Sequence, residues 1–98
     1  MEEEEFNQFT EKDGIVVIND GVTEIPHEVF YQHEMKGLVI PGSVTTIGPC
    51  AFKNCENLTS VVLSEGVTSL GSSCFDTCTS LTTITIPTSL KTVETNAF

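Results

Sequence analysis

The sequence predicts a repeat solenoid: short strands and turns wound into stacked coils 23 residues long. Apolar landmarks recur at that spacing, with Val44, Val67 and Leu90 in one slot, Ile47, Leu70 and Val93 in a second, and Phe52, Phe75 and Phe98 in a third. Breakers recur with them, Pro41 and Pro87 after one apolar segment and Gly48 and Gly71 after the next. Ser and Thr are abundant while there is no Trp and one Tyr, a composition suited to short strands and tight turns.

Ninety-eight residues make one small domain. The apolar fraction of 39% is modest, but it is concentrated at the periodic positions, so a narrow continuous core is feasible. The net charge is −10, and residues 1–36 carry −8 of it (ten acids against Lys12 and Lys36). Four lysines and no arginine argue against a protein that holds nucleic acid by releasing phosphate counterions. The same balance disfavours an anionic membrane surface. The chain opens on Met1 and the acids Glu2–Glu5, with neither the basic region nor the apolar stretch of a secretory signal. Its apolar runs, such as Ile15–Ile18, are too short to insert in a bilayer. A cytoplasmic location is expected.

Residues 1–14 lie outside the period as an acidic leader. Glu2–Glu5 is a like-charge run expected to be solvated. Phe6 and Phe9 are the candidates to fold back as a cap over the open end of the first repeat, against simple fraying. The array spans residues 15–98 and holds about three and a half repeats. Its first repeat is one residue short: Val22, Ile25 and Phe30 precede Val44, Ile47 and Phe52 by 22, and the deficit falls between Phe30 and Leu38. There His33 takes the slot of Cys55 and Cys78, and Met35 that of Leu58.

Each repeat begins with a short alternating strand, as in Leu38-Val39-Ile40, Val61-Val62-Leu63 and Ile84-Thr85-Ile86. First and third residues should face the core and middle ones solvent. Pro41 and Pro87 close two of these strands, where a lost donor is tolerable. Gly48 and Gly71 are expected to allow turns with positive φ. The residues before each Phe (Val29, Ala51, Cys74 and Ala97) mark an inward site for a small side chain, and the segment around each is expected to form one turn of helix or 3₁₀. Stacking then turns the phenylalanines into a column.

The sequence stops at Phe98, before the Cys and Leu that follow Phe52 and Phe75. The strand expected over Thr82–Ile86 would then have an open edge, which is a template for association. Either the chain is a fragment of a longer array, or its C-terminal end meets a partner or a second copy.

The pattern Leu58-x-x-Val61-x-Leu63-x-x-x-Val67-x-x-Leu70-Gly71-x-x-Cys74-Phe75-x-x-Cys78-x-x-Leu81 resembles the BspA-type leucine-rich repeat, and Ser43–Cys55 repeats most of it. The resemblance covers residues 15–98. It implies a curved, right-handed leucine-rich-repeat solenoid with short parallel strands on one face and short second strands and turns or 3₁₀ segments on the other. It also implies a non-catalytic protein–protein interaction module, in a family rich in surface antigens and adhesins; the alternative is a fragment of a longer cell-surface adhesin.

Chemistry-bearing residues offer little beyond that. Cys50, Cys55, Cys74 and Cys78 superficially resemble zinc-ligand spacing, but Cys55 and Cys78 share one repeat slot and Cys74 fills the small slot held elsewhere by alanine. Core packing is the simpler reading, with a Cys55–Cys78 bridge as the alternative. His27 and His33 read as surface residues, and no nucleophile motif orders a Ser/His/acid trio. No metal, cofactor or catalytic residue is implied. The candidate binding face is the outward row of the main sheet: Val17, Val39, Val62 and Thr85 in one file, Gly37, Ser60 and Thr83 beside it. A low-charge concave surface of this kind suits a protein partner, although β-propensity alone would also place such residues there.

Overall fold

The structure, a computed structural model, describes residues 6–98; the run Glu2–Glu5 lies outside the described residues. The strands are β1 (Phe9–Lys12), β2 (Ile15–Ile18), β3 (Glu24–Ile25), β4 (Gly37–Ile40), β5 (Thr46–Ile47), β6 (Ser60–Leu63), β7 (Ser69–Leu70), β8 (Thr83–Thr85) and β9 (Thr92–Val93). They form a five-stranded sheet in the order β1-β2-β4-β6-β8 and a four-stranded sheet in the order β3-β5-β7-β9. All neighbours are parallel except β1, which is antiparallel to β2. The chain is a β-solenoid, three complete coils and part of a fourth. Val16, Leu38, Val61 and Ile84 lie in register, a step of 22 and then two of 23.

The alternation within each strand sets what is buried. Val16, Ile18, Leu38, Ile40, Val61 and Leu63 are all at most 1% exposed. Such burial is worth about 1.5–3 kcal/mol per side chain, which is how strands of four residues hold their place. Threonine hydroxyls add rungs between coils: Thr59 and Thr82 donate to Lys36 O and Thr59 O, and Thr45 and Thr68 to Thr23 O and Thr45 O, at 3.0–3.2 Å.

The third side of the coil is a row of turns and not a helix of either kind. Within it, Ala51, Lys53 and Cys55 donate three residues back to Gly48, Cys50 and Phe52. The other amides cross between coils, and on this side they cross in one direction. Glu28, Phe30 and Gln32 donate to Pro49, Ala51 and Lys53; Cys50, Phe52 and Asn54 donate to Ser72, Cys74 and Asp76; Ser73 and Phe75 donate to Thr95 and Ala97. Left-handed residues bracket each turn, Glu28 and Gln32, Cys50 and Asn54, Ser73 and Thr77, with φ between 58° and 63°. Each costs about 1 kcal/mol or more for a residue with a Cβ. Two or three crossing bonds per turn at about 0.5–1.5 kcal/mol each, together with the phenylalanine buried at the centre of the turn, offset that.

Those rings stack: Phe30 on Phe52 at 5.2 Å, Phe52 on Phe75 at 5.3 Å and Phe75 on Phe98 at 5.8 Å, with planes within 11° of parallel. Phe9 meets Phe30 edge-on at 5.0 Å and Phe6 meets it at 5.9 Å.

Several expectations need correction. Gly48 and Gly71 do not have positive φ, which falls instead on Gly14, Gly21 and Gly66. What glycine provides there is close approach. A Cβ on Gly48 would lie 2.7 Å from Ile25 O and 2.8 Å from His27 N, and one on Gly71 would lie 2.6 Å from Pro49 N. Ile86, expected to face the core, lies beyond the end of β8 and is 48% exposed, because no further coil covers it among the described residues. Val93 and Phe98 are more than half exposed at the same end. Within residues 1–14, for which the sequence suggests an acidic leader with a candidate cap, Asp13 and Gly14, both with positive φ, make a two-residue hairpin turn that lays β1 along β2.

Candidate functional site

The parallel register brings the predicted outward residues into files. Val17, Val39, Val62 and Thr85 are successive partners across β2, β4, β6 and β8, and Gly37, Ser60 and Thr83 form the adjacent file. Val17 and Val62 are 39% and 41% exposed, Thr83 and Thr85 are exposed, and Val39 and Ser60 are half-buried within the sheet. The structure adds Ile15, 40% exposed, at the head of the second file beside Gly37. A Cβ on Gly37 would strike Ile15 Cδ1 at 2.7 Å, so glycine lets this isoleucine lie over the sheet. Strand β1 extends the face with Thr10 and Lys12, opposite Val17 and Ile15. Lys12 is the one charged side chain at outward positions of these five strands. The Asp13-Gly14 pair is the sequence signal for this extension, and it lies outside the repeat. The face is an apolar stripe bordered by small side chains; it carries no nucleophile and no acid–base pair.

The cysteines sit where the repeat slots place them. Cys55 and Cys74 are buried, and Cys50 and Cys78 are half-buried; all four are free thiols. Cys55 Sγ donates to Phe30 O at 3.2 Å and Cys78 Sγ to Phe52 O at 3.3 Å, each tying its coil to the one before. Burial pushes the Cys55 thiol up to about 12, with the nearby Cys78 adding to it, and burial likewise pushes Cys74 up to about 12. These thiols are therefore protonated at neutral pH, the opposite of a reactive cysteine. Among the described residues no three His, Cys, Asp or Glu side chains gather as a metal site.

His33 shows why the first coil can be one residue short. Its Nδ1 accepts the Met35 N–H at 3.0 Å, the donor that in later coils finds the carbonyl of Cys55 or Cys78. That places the ring proton on Nε2, which lies 3.2 Å from Glu11 Oε1 on β1. The histidine thus joins the hairpin to the first coil. His27 is exposed at the surface.

The C-terminal end is the second feature with recognisable chemistry. A cavity of about 390 Å³ lies there between Phe75, Cys78, Leu81, Ile84 and Phe98. Thr77 lines this region and its N–H has no acceptor among the described residues, whereas its equivalents Gln32 and Asn54 donate to Lys53 and Asp76. Among the described residues the outer edge of β8 is unpaired.

Comparison with known proteins places this geometry. The family model described as BspA type leucine rich repeat region matches residues 3–98 in six copies. No curated protein matches the sequence. Two crystal structures are similar. A leucine rich cell surface protein from Faecalibacterium prausnitzii A2-165 is 25% identical with a TM-score of 0.69, over 92% of this chain and 24% of that one. The T. pallidum leucine rich repeat protein TpLRR is 25% identical with a TM-score of 0.72, over 88% of this chain and 50% of that one. The chain spans about a quarter of the first and half of the second.

Proposed function

Since the chain belongs to the BspA-type leucine-rich-repeat family, we propose that it is a non-catalytic protein-binding module that uses the outward face of its five-stranded sheet. The observation that carries this reading is the file Val17, Val39, Val62 and Thr85. It is an apolar stripe held in register by parallel pairing and free of charge except for Lys12 at its border. Ile15, Val17 and Val62, each about four-tenths exposed, with the half-buried Val39 between the strands that carry them, offer apolar area that a partner would bury. Ser60 and Thr83 beside them leave room for a partner side chain to approach, while Gly37 is covered by Ile15. The partner best matched is a protein surface that is itself weakly charged. Nucleic acid is disfavoured by the net charge of −10.

Val62→Asp is the test. Its side chain sits on the solvent side of β6, so the variant should keep its circular dichroism and melt. Proteins that co-purify with the wild-type chain from its own cells should be lost from Val62→Asp and retained by Val93→Asp, an exposed position on the other sheet. A partner that ignores Val62→Asp sinks this face as the contact surface.

A second reading has its own support: the likeness to a leucine rich cell surface protein favours a segment of a cell-surface adhesin. No helix of the described residues is long and apolar enough to cross a membrane. Labelling of intact cells with a membrane-impermeant amine reagent separates the two. Labelled lysines on this chain would place it at the surface, and their absence beside a labelled surface control favours the cytoplasmic module.

A further inference from the structure

We propose that His33 is a pH-sensitive latch. Neutral, its ring closes the short first coil and fastens the β1–β2 hairpin to it; protonated, the ring releases the Met35 amide and loosens both. The latch depends neither on the outward face nor on the C-terminal end of the stack.

Its origin is the missing residue of the first coil. In the second and third coils the backbone itself holds the amide at this point: Leu58 N–H donates to Cys55 O at 3.2 Å and Leu81 N–H to Cys78 O at 3.1 Å. In the first coil the equivalent Met35 N–H has His33 Nδ1 as its acceptor, at 3.0 Å. A carbonyl accepts whatever the pH, whereas an imidazole nitrogen accepts only while it is unprotonated. Histidine ordinarily changes charge between about pH 5 and 8. A protonated Nδ1 would set donor against donor, and Met35 is fully buried, so the coil must open there for its amide to find another acceptor.

The side chains facing the ring favour the proton. Nε2 lies 3.2 Å from Glu11 Oε1 on β1, and the histidine side chain is 28% exposed, within reach of solvent. Glu34 of its own coil and Glu56 of the next line the same open pocket of about 330 Å³, with Gln32, Asn54 and Asn57, and among the described residues no lysine lines it. Phe30 meets the ring edge-on at 5.4 Å. The Cys55 thiol, beside the His33 backbone amide, stays neutral because burial pushes it up to about 12. Carboxylates thus draw a proton onto a ring whose free nitrogen is in use as an acceptor, which makes the contact a switch and not a fixed bond.

The two residues after Met35 carry its release to the hairpin. Lys36 N–H and Gly37 N–H donate to Gly14 O at 2.7 and 3.2 Å, and Gly14 is the second residue of the hairpin turn. The Lys36 stem also covers Gly14, where a Cβ would lie 3.1 Å from Lys36 Cδ. Opening residues 33–37 therefore frees the turn end of the hairpin, while Phe6 and Phe9 hold its other end on Phe30.

Amide exchange followed by NMR tests the latch within one molecule, because Leu58 serves as an internal control. Between about pH 7.5 and about pH 5.5 the Met35 protection factor should fall about tenfold or more while that of Leu58 is unchanged. The fall should track the titration of the His33 ring nitrogens. His33→Asn supplies a side-chain oxygen that can accept the N–H two residues on and does not titrate in this range, so its Met35 amide should be protected alike at both pH values. Glu11→Gln removes a carboxylate that favours the proton and should move the midpoint of the fall to lower pH. Met35 protection that parallels Leu58 through the range overturns the proposal. So does a His33→Asn variant that loses Met35 protection with acid as the wild type does.

Discussion

Phe52 lies between Phe30 and Phe75, with ring centroids 5.2 and 5.3 Å away, and is completely buried; Phe98 stacks on one side only and is 54% exposed. The same residue in the same slot therefore has two different energetic roles. Phe52→Ala should cost about 3–5 kcal/mol, as large core truncations do, and Phe98→Ala roughly 1 kcal/mol by lost apolar area. Urea unfolding midpoints compare them, and similar losses would mean that stacking on both sides does not set the stability of the column. The slots themselves were legible in the sequence, because identity at a spacing of 23 needs no geometry. What each glycine does was not. Gly48 and Gly71 read as turn formers, yet their backbone is of the kind any residue adopts, and what excludes a side chain is a carbonyl and an amide of the preceding coil. A sequence lists residues along one coil, whereas the constraint comes from the next.

At the scale of elements, the parallel strands were readable from alternation and the turn row was not. Three to five residues that are neither alternating nor helical leave several backbone solutions open. The one adopted, with left-handed residues at Cys50 and Asn54, is set by bonds to a neighbouring coil. The hairpin had a readable signal in Asp13-Gly14, but it lies outside the period that organises the rest. The candidate face divided in the same way: its files follow from the repeat, while Ile15, Thr10 and Lys12 join it only through the hairpin.

The turn row also contains the buried thiols, and these predict a pH response. In the unfolded chain Cys55 and Cys74 titrate near the ordinary value of about 8.5, while burial raises both to about 12 in the fold. Between those values the unfolded state has released protons that the folded state retains. Stability from this source is complete below about pH 8.5 and falls as pH rises toward 12. Urea midpoints measured from pH 7 to 10 should decline for wild type, and should decline less for the Cys55→Ala/Cys74→Ala double variant. Parallel declines would assign the alkaline loss to other groups.

For the whole molecule, a stack of coils that each touch only their neighbours has no global core, so its stability varies along the axis. The middle coils are covered on both sides. The last is covered on one, with Ile86 and Val93 about half exposed. Amide exchange should be slowest in β4 and β6 and more than tenfold faster in β9. Uniform exchange would show that the array opens as a single unit. At the other end, Phe6 and Phe9 lie against Phe30, and Glu11 meets His33. Among the described residues the first coil is therefore covered by side chains of the hairpin and the last coil by none.

The turn row has one more consequence. Its crossing amides all point toward the C-terminal end and their carbonyls toward the N-terminal end, so the peptide dipoles of this side add along the axis as they do in a helix. The negative pole of this row falls at the first coil, which carries Glu24, Glu28 and Glu34. Along the other sides the sense is reversed, with the Thr45, Thr59, Thr68 and Thr82 amides crossing toward the N-terminal end, so the two sets of peptide dipoles oppose each other and the field of the turn row stays local to that row.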